Sequence, residues 1–474
     1  MKNLLLLGSL LLTTSVSSAQ NMMGVATSRY GGTNRLYVNP AFAADSPSRF
    51  YVNVGMGSAH VNNNYVRYQA PFSLMRLISN RVPAQYRNPD GSLRFDVNYT
   101  DEILDDNPKN GTIWGEVRGP AFLTRGNWGA FAVTTRLRAV AQVKGASESL
   151  LSAVRAGLSD GVLYGIPNND NQFSANTNTF SELAFTYSNV LWEGETDRLL
   201  LGVTAKGLLG YNAQHLINRG LDYRIAADPD NPNSAFLEVN RLDAKLAYTT
   251  FLQNRPLSPR TLLSTNAPGR GIGLDLGLSY IYQPDPYGAA LRLGVAITDI
   301  GGLSYRGDAY TYNDAAENPI RFRSSDFNNV GNSTEIIRTI QNKLNTGRNP
   351  SAGRFRAGLP TSLNLTADYA FPKGLGLNVT YLQDVRSQQA TAIHQPTLLA
   401  VTPRYETRWV SVSMPVTYLN RGLTAGAMVR VGPGWIGTDN FFGLIGNASN
   451  GIRPRGLDVY GGVAFGIGRI DEEE

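Results

Sequence analysis

Gly271-Ile272-Gly273-Leu274-Asp275-Leu276-Gly277-Leu278-Ser279-Tyr280-Ile281-Tyr282 runs on a two-residue rhythm. Ile272, Leu274, Leu276, Leu278, Tyr280 and Tyr282 alternate with Gly273, Asp275, Gly277 and Ser279. Gln283 to Gly288 contains two prolines, an aspartate and a glycine and reads as a turn. Beyond it Leu291, Leu293, Val295 and Ile297 alternate with Arg292, Gly294, Ala296 and Thr298. Successive side chains of a strand point to opposite faces, so this is a hairpin with one apolar face and one polar, glycine-rich face.

The rhythm recurs on either side. Phe131, Val133, Leu137 and Ala139 stand opposite Thr134, Arg136 and Arg138, and Leu199, Leu201 and Val203 stand opposite Thr204 and Lys206. Leu363, Leu365, Ala367 and Tyr369 alternate with Asn364, Thr366 and Asp368, and Val459, Gly461, Val463, Phe465 and Ile467 form the last strand. On the first strand Phe50, Val52, Val54 and Met56 are assigned outward, with Asn53, Gly55 and Gly57 inward, where their small size leaves space.

Met1-Lys2-Asn3, the apolar run Leu4 to Leu12 and Ser17-Ser18-Ala19-Gln20 make residues 1–19 a secretory signal peptide, with cleavage expected after Ala19. The chain of 474 residues contains no cysteine, which excludes a thiol-linked lipid anchor, disulfides and thiolate metal sites. After the signal no apolar segment reaches the ~18 residues a spanning helix needs, leaving a soluble all-β protein or an outer-membrane barrel. Charged residues make up 17%, below the ~25% of soluble domains, while Gly (49) and Tyr (23) are plentiful, which favours a barrel. The net charge of +6 is scattered and forms no nucleic-acid patch.

Connection lengths decide between the two. Short turns at 125–126, 193–196, 283–288, 372–374, 405–408 and 433–434 alternate with long connections at 69–111, 145–179, 212–270, 308–360, 387–396 and 442–457; 420–422 is the short exception. Tight periplasmic turns alternating with large extracellular loops belong to an outer-membrane barrel. The expected fold is therefore all-β: a transmembrane antiparallel up-and-down β-barrel of about 14 strands over 49–470. Residues 20–48 precede it as an N-terminal plug or periplasmic segment, and an acidic tail, 471–474, follows. Treating 212–270 as one loop gives fourteen strands; further spanning strands there would give sixteen. Trp128, Trp192, Tyr280, Tyr282, Tyr369, Phe371, Tyr405 and Trp409 all flank short turns and are expected to form the periplasmic aromatic girdle. Loop helices are predicted over Glu148 to Ala156, capped by Ser147 and ended by Gly157, and over Thr334 to Leu344, capped by Asn332 or Ser333. Ile336, Ile337, Ile340 and Leu344 of the second could cover an opening.

No catalytic centre emerges. His60, His215 and His394 are scattered, no nucleophile elbow, phosphate loop, calcium loop or metal-binding histidine pair is present, and no cofactor is expected. The polar-face set Arg136, Arg138, Lys206, Asp275, Arg292, Asp368 and Arg430 mixes signs, which suits either internal salt bridges or a polar channel lining.

Asn39-Pro40-Ala41, Ile297 to Gly302, Leu359 to Leu363 and Val431 to Asn440 together carry a resemblance. The chain resembles an outer-membrane family of uncharacterised Bacteroidota β-barrels, distantly similar to long-chain fatty-acid (FadL-like) transporters and to the shuttle barrel of type IX secretion. The resemblance implies a fourteen-stranded barrel with an N-terminal plug, of which Asn39, Pro40, Ala41 and Phe42 are the candidate residues; it names no substrate. The chain departs from that pattern in lacking a terminal aromatic residue and an appended peptidoglycan-binding domain. The function expected is a channel or transporter for hydrophobic or small solutes; the alternative is a structural or secretion-associated barrel that binds partner proteins without transport. An outer-membrane hydrolase would need a nucleophile beside a histidine, and only His60 falls on an expected strand. The partners expected are outer-membrane lipid and lipopolysaccharide, the barrel-assembly machinery and further proteins.

Overall fold

The computed structural model describes residues 22–469 except 90, 95, 156–157, 159–160, 230, 253–257, 263, 265, 286–287, 328–332 and 345–352. The signal peptide, the acidic tail and the expected helix boundaries at Asn332 and Gly157 lie outside the described residues.

Fourteen antiparallel strands form the wall: β1 (Ser48–Asn63), β2 (Lys109–Arg118, resumed at Ala121–Gly126), β3 (Gly129–Ala146), β4 (Asn168–Glu193), β5 (Asp197–Asp228), β6 (Gly269–Tyr282) and β7 (Ala290–Arg306) make the first half. The second half is β8 (Arg354–Gly358, resumed at Ser362–Ala370), β9 (Leu375–Asp384), β10 (Leu398–Glu406), β11 (Val410–Ser413 and Val416–Leu419), β12 (Gly422–Ala425 and Ala427–Val431), β13 (Gly434–Thr438) and β14 (Gly456–Arg469). Each pairs with its chain neighbours, and β1 pairs with β14 from Ser48↔Arg469 to Asn62↔Gly456, so the sheet closes on itself. Closure leaves no wall edge and satisfies the backbone polar groups that lipid would strand.

The outward face is apolar: Leu276, Leu278, Leu293, Val295, Val379 and Val401 are exposed between strands whose inward neighbours are polar and buried. Trp128, Trp192, Tyr282, Phe371, Tyr405 and Trp409 are exposed at the end that carries the short turns. Tyr280 directs its hydroxyl to Asp197, 2.8 Å away.

Four local readings of the sequence need correction. On β1 the pairing register shifts between Asn53 and Gly55. This bulge inverts the alternation, so Met56 points inward and is buried, while Gly57 points outward with nothing near it. Residues 212–270 do not form a single loop between wall strands. β5 runs for 32 residues, about three times the ~9–11 that cross a bilayer, and its outer part pairs with Asn231–Tyr248, which in turn pairs with Asp308–Arg323. These strands build a sheet projecting beyond the wall and add no spanning strand. The helix Ser333–Lys343 packs Ile337 against Leu246 and Tyr248 of that sheet, with Leu216 and Tyr310 beside them. It covers the face opposite His215 and so does not close the barrel mouth. The segment 385–397 turns inward, with Ala392, Ile393 and His394 fully buried.

Candidate functional site

The site is the lumen, and residues 22–46 fill it. Their backbone is a chain of short turns: the helix Met23–Ala26 and the 3-10 turns Arg29–Arg35 and Pro40–Ala43, with almost every residue buried. Asn39 organises the last turn by accepting from the Ala41 amide at 2.9 Å, and Pro40 supplies the fixed φ that suits a first helical position.

Asn39, Pro40, Ala41 and Phe42 meet the wall where three strands show glycine inward. A Cβ on Gly202 of β5 would lie 2.3 Å from the Ala41 nitrogen, one on Gly277 of β6 would lie 2.1 Å from Asn39 Oδ1, and one on Gly294 of β7 would lie 3.3 Å from the Phe42 ring. Gly202 and Gly277 are direct cross-strand partners, so the three make one shallow cradle. Asn39 Nδ2 donates to the Leu278 carbonyl across this floor at 2.9 Å. Ser188 Oγ donates to the Ala41 carbonyl at 3.1 Å, and Asn364 Nδ2 to the Val38 carbonyl at 2.8 Å. At the far end of the segment the Met23 amide donates to Asp439 at 2.8 Å.

Two ionic networks flank the cradle. In the first, Arg138 bridges Asp299 and Glu182, both at 2.6 Å; Arg136 meets Glu182 at 2.7 Å; and Lys206 meets Asp275 at 2.7 Å and Asp299 at 2.6 Å. Arg118 and Glu116 extend it at 2.5 Å, and the Tyr37 ring of the N-terminal segment lies between the Arg118 and Arg136 guanidinium groups, 4.0 and 4.2 Å away. Arg118, Arg136, Arg138 and Lys206 thus face Glu116, Glu182, Asp275 and Asp299, and the burial of each charge is compensated inside the network. In the second network Asp45 of the segment meets Arg292 at 3.1 Å and Arg35 at 3.3 Å, while Asp368 joins Arg404 at 2.6 Å and Arg292 at 3.8 Å. Burial would raise the Asp45 carboxyl, but Arg292, Arg35, Arg29 and Arg198 together hold it well below the ordinary carboxylate range.

The structure thus brings Arg136, Arg138, Lys206 and Asp275 into one network and Arg292 and Asp368 into the other. Arg430 stands apart: it donates to the Thr407 and Arg408 carbonyls at 2.7 and 3.0 Å and lies over the Tyr30 ring. Asp299, which joins more cations than any other carboxylate of the first network, was missed by two-residue counting. Alternation from Thr298 puts Asp299 on the lipid side, but it adopts φ 57° and Gly301 φ 126°, and this kink swings the carboxylate inward. A carboxylate counted onto a lipid-facing register was itself the available signal.

A second closure comes from the other end. The segment 385–397 leaves β9 and crosses the lumen to the opposite wall, where Gln142 of β3 exchanges hydrogen bonds with the His394 backbone at 2.9 and 3.0 Å. Ile393 packs against Trp114 and Val140, and Asp384 takes both Lys144 at 2.7 Å and His394 at 2.9 Å. His215 and His60 are likewise buried, bonded to Asn176 and Asp458. Two lumen cavities of about 10 and 40 Å³ lie beside the segment, each with room for no more than a few waters. Among the described residues no group of acidic and histidine side chains could hold a metal ion.

Fold and site together define a transmembrane β-barrel of fourteen strands with a polar lumen closed from both ends by its own chain. Residues 40–439 match a family of unknown function (DUF5723), and the chain belongs to that family. No curated protein matches it. Among solved structures, the toluene transporter TodX of P. putida is similar over 93% of this chain and 95% of its own, at 10% identity and a TM-score of 0.40. A TodX deltaS2S3 mutant monoaromatic hydrocarbon channel is similar over 92% and 94%, at 11% identity and 0.39. A Pseudomonas aeruginosa FadL homologue is similar over 91% of each chain, at 9% identity and 0.20. Likeness of this order carries no argument; the fold stands on the strand pairing.

Proposed function

We propose that this chain is an outer-membrane conduit for small solutes, exported by its signal peptide and held shut in the state seen here by residues 22–46 and by the inward segment 385–397. One observation carries the reading: beyond the paired side chains of the wall, the lumen is filled by segments that leave the wall, seated through hydrogen bonds and ion pairs on a glycine floor. A closure of that kind has an open counterpart reachable without unfolding the barrel. The charged lining supports polar solutes over apolar ones, because an apolar solute would have to displace paired charges with nothing to offer them. Outer-membrane lipid, lipopolysaccharide and the barrel-assembly machinery are the partners this reading requires.

The test removes the closures in turn. Deleting 21–45 behind the intact signal, shortening 387–396, and doing both should give barrels that insert, with ion conductance in planar bilayers rising most in the double variant. A doubly deleted barrel that inserts and remains as impermeable as the full chain refutes transport and favours the structural or secretion-partner alternative.

A further inference from the structure

The shortest connection at the end that carries the long loops joins β11 to β12. It consists of Asn420 and Arg421 alone, both in the left-handed region at φ 46° and 60°. The other connections at this end are longer, and one of them, 385–397, turns into the lumen, so here the least chain stands over the strand ends. Below the turn Leu423 (73% exposed) and its cross-strand partner Tyr418 (51%) face outward. Beside them the helix Phe441–Ile445 packs against Gly422–Ala425 and shows Phe441 and Phe442 to the outside.

Four arginines from three separate segments gather over this apolar patch. Arg455 donates to the Arg421 carbonyl at 3.1 Å. The stretch holding Arg453 and Arg455 runs alongside Asn63 to Tyr68, tied by the Asn63 amide to the Arg455 carbonyl at 3.1 Å and by the Tyr68 amide to the Pro454 carbonyl at 2.8 Å; this brings Arg67 into the group. Among the described residues, Asp101, the cross-strand partner of Arg67, meets Arg453 at 3.5 Å, and Asp105, engaged by Lys109 at 2.5 Å, offsets part of the charge at Arg455. Arg455 is held below the ordinary guanidinium range, first by partial burial and then by the charge of Arg67. Like charges kept together on anchored backbone invite an anion, and exposed aromatic and aliphatic side chains directly beneath invite acyl chains.

We propose that Arg67, Arg421, Arg453 and Arg455, with Tyr418, Leu423, Phe441 and Phe442 beneath, form a binding site for a phosphorylated, multiply acylated lipid of the outer leaflet. The phosphates lie among the guanidinium groups and the acyl chains lie along the strand faces. The assignment rests on the outer-membrane reading given under Proposed function, with the long connections taken to face outward.

The test uses the full-length barrel in phosphatidylcholine nanodiscs doped with bisphosphorylated lipid A or with its dephosphorylated form, read by native mass spectrometry. The wild-type barrel should retain the phosphorylated lipid at least about tenfold over the dephosphorylated one, since only the phosphates can take charge-assisted hydrogen bonds from the guanidinium groups. The variant Arg67→Gln/Arg421→Asn/Arg453→Gln/Arg455→Gln should lose that preference while keeping its heat-modifiable folded band. Equal retention of both lipids by the wild type, or undiminished preference in the variant, overturns the proposal. Displacement by millimolar inorganic phosphate would overturn it in favour of a free-anion site. Orientation is checked apart from this: Arg421→Cys labelled on intact cells by an impermeant maleimide reports which end faces out, and the nanodisc result does not depend on it.

Discussion

Replacing Gly277 with valine should drive the N-terminal segment off its seat without harming the wall. A Cβ at this position would sit 2.1 Å from Asn39 Oδ1 and 2.8 Å from Pro40 Cδ, contacts that side chains essentially never make. Overpacking of this kind costs about 1–3 kcal/mol. Moving Asn39 also loses its bond to the Leu278 carbonyl, about 0.5–1.5 kcal/mol more. Together these give roughly 2–4 kcal/mol, an increase of about 30- to 1000-fold in the undocked population at about 1.4 kcal/mol per factor of ten.

The chain has no cysteine, so Ala43→Cys introduces a single thiol at a position 0% exposed in the docked segment. Its maleimide labelling rate in detergent reads the undocked population directly. Gly277→Val should accelerate labelling by that factor, whereas Gly57→Val, whose added side chain points to open space, should not. Equal labelling rates in the parent and both variants, with all three barrels folded, would refute the cradle.

Leu276→Arg or Leu293→Arg should destabilise the inserted barrel by about 2–4 kcal/mol, because both side chains face lipid; urea unfolding in vesicles measures it, and a loss under 1 kcal/mol would contradict the outward assignment. Arg138→Met should cost about 3–5 kcal/mol by leaving Asp299 and Glu182 short of a buried cation, and adding Asp299→Asn should recover part of it; an additive double variant would mean the two do not interact. Asp45, whose carboxyl is depressed, stabilises docking above the unfolded value of about 3.9 and loses that contribution as pH falls through the lower folded value. Labelling of the same cysteine should therefore stay slow from neutral pH to below 4, and Asp45→Asn should speed it at pH 7; faster wild-type labelling already at pH 5 would exclude this carboxylate as the anchor. Protease on intact cells should cut within 308–327 and spare the turn at Pro372–Gly374, and the reverse pattern would invert the barrel.

The wall was legible because its information is local. Lipid on one side and a packed lumen on the other force a period of two, so Leu276 with Leu278 and Arg136 with Arg138 declare their faces from sequence spacing alone. Legibility failed wherever a backbone irregularity changes the count. The bulge after Asn53 turns Met56 inward, and the left-handed Asp299 puts two successive residues, Thr298 and Asp299, inside. The projecting sheet shows in the sequence only as strand-like pieces near Leu221 to Ile225 and Ala244 to Thr250 within one long connection, because β5 crosses from lipid to water without a break and its outer part lacks the lipid-facing contrast that marks a spanning strand.

The closures were the hardest to read, because their partners lie far apart in the chain. Asn39 meets Leu278, Met23 meets Asp439, and His394 meets Gln142. Nothing in the local composition of 385–397 announces that it lies inside the barrel; burying Ile393 requires Trp114 and Val140 on the opposite wall. The glycines fared no better. Gly202, Gly277 and Gly294 look like open space when each strand is read alone, as Gly55 and Gly57 do on the first strand. Packed against Asn39-Pro40-Ala41-Phe42 they have the opposite meaning: the wall gives up its side chains at these positions so that a separate segment can approach the backbone. Inward glycine in a barrel strand is therefore ambiguous between a pore and a seat. The seat is favoured where glycines on neighbouring strands come into cross-strand register, as Gly202 and Gly277 do, because a pore lining has no need of that alignment and a rigid turn pressed against the wall does.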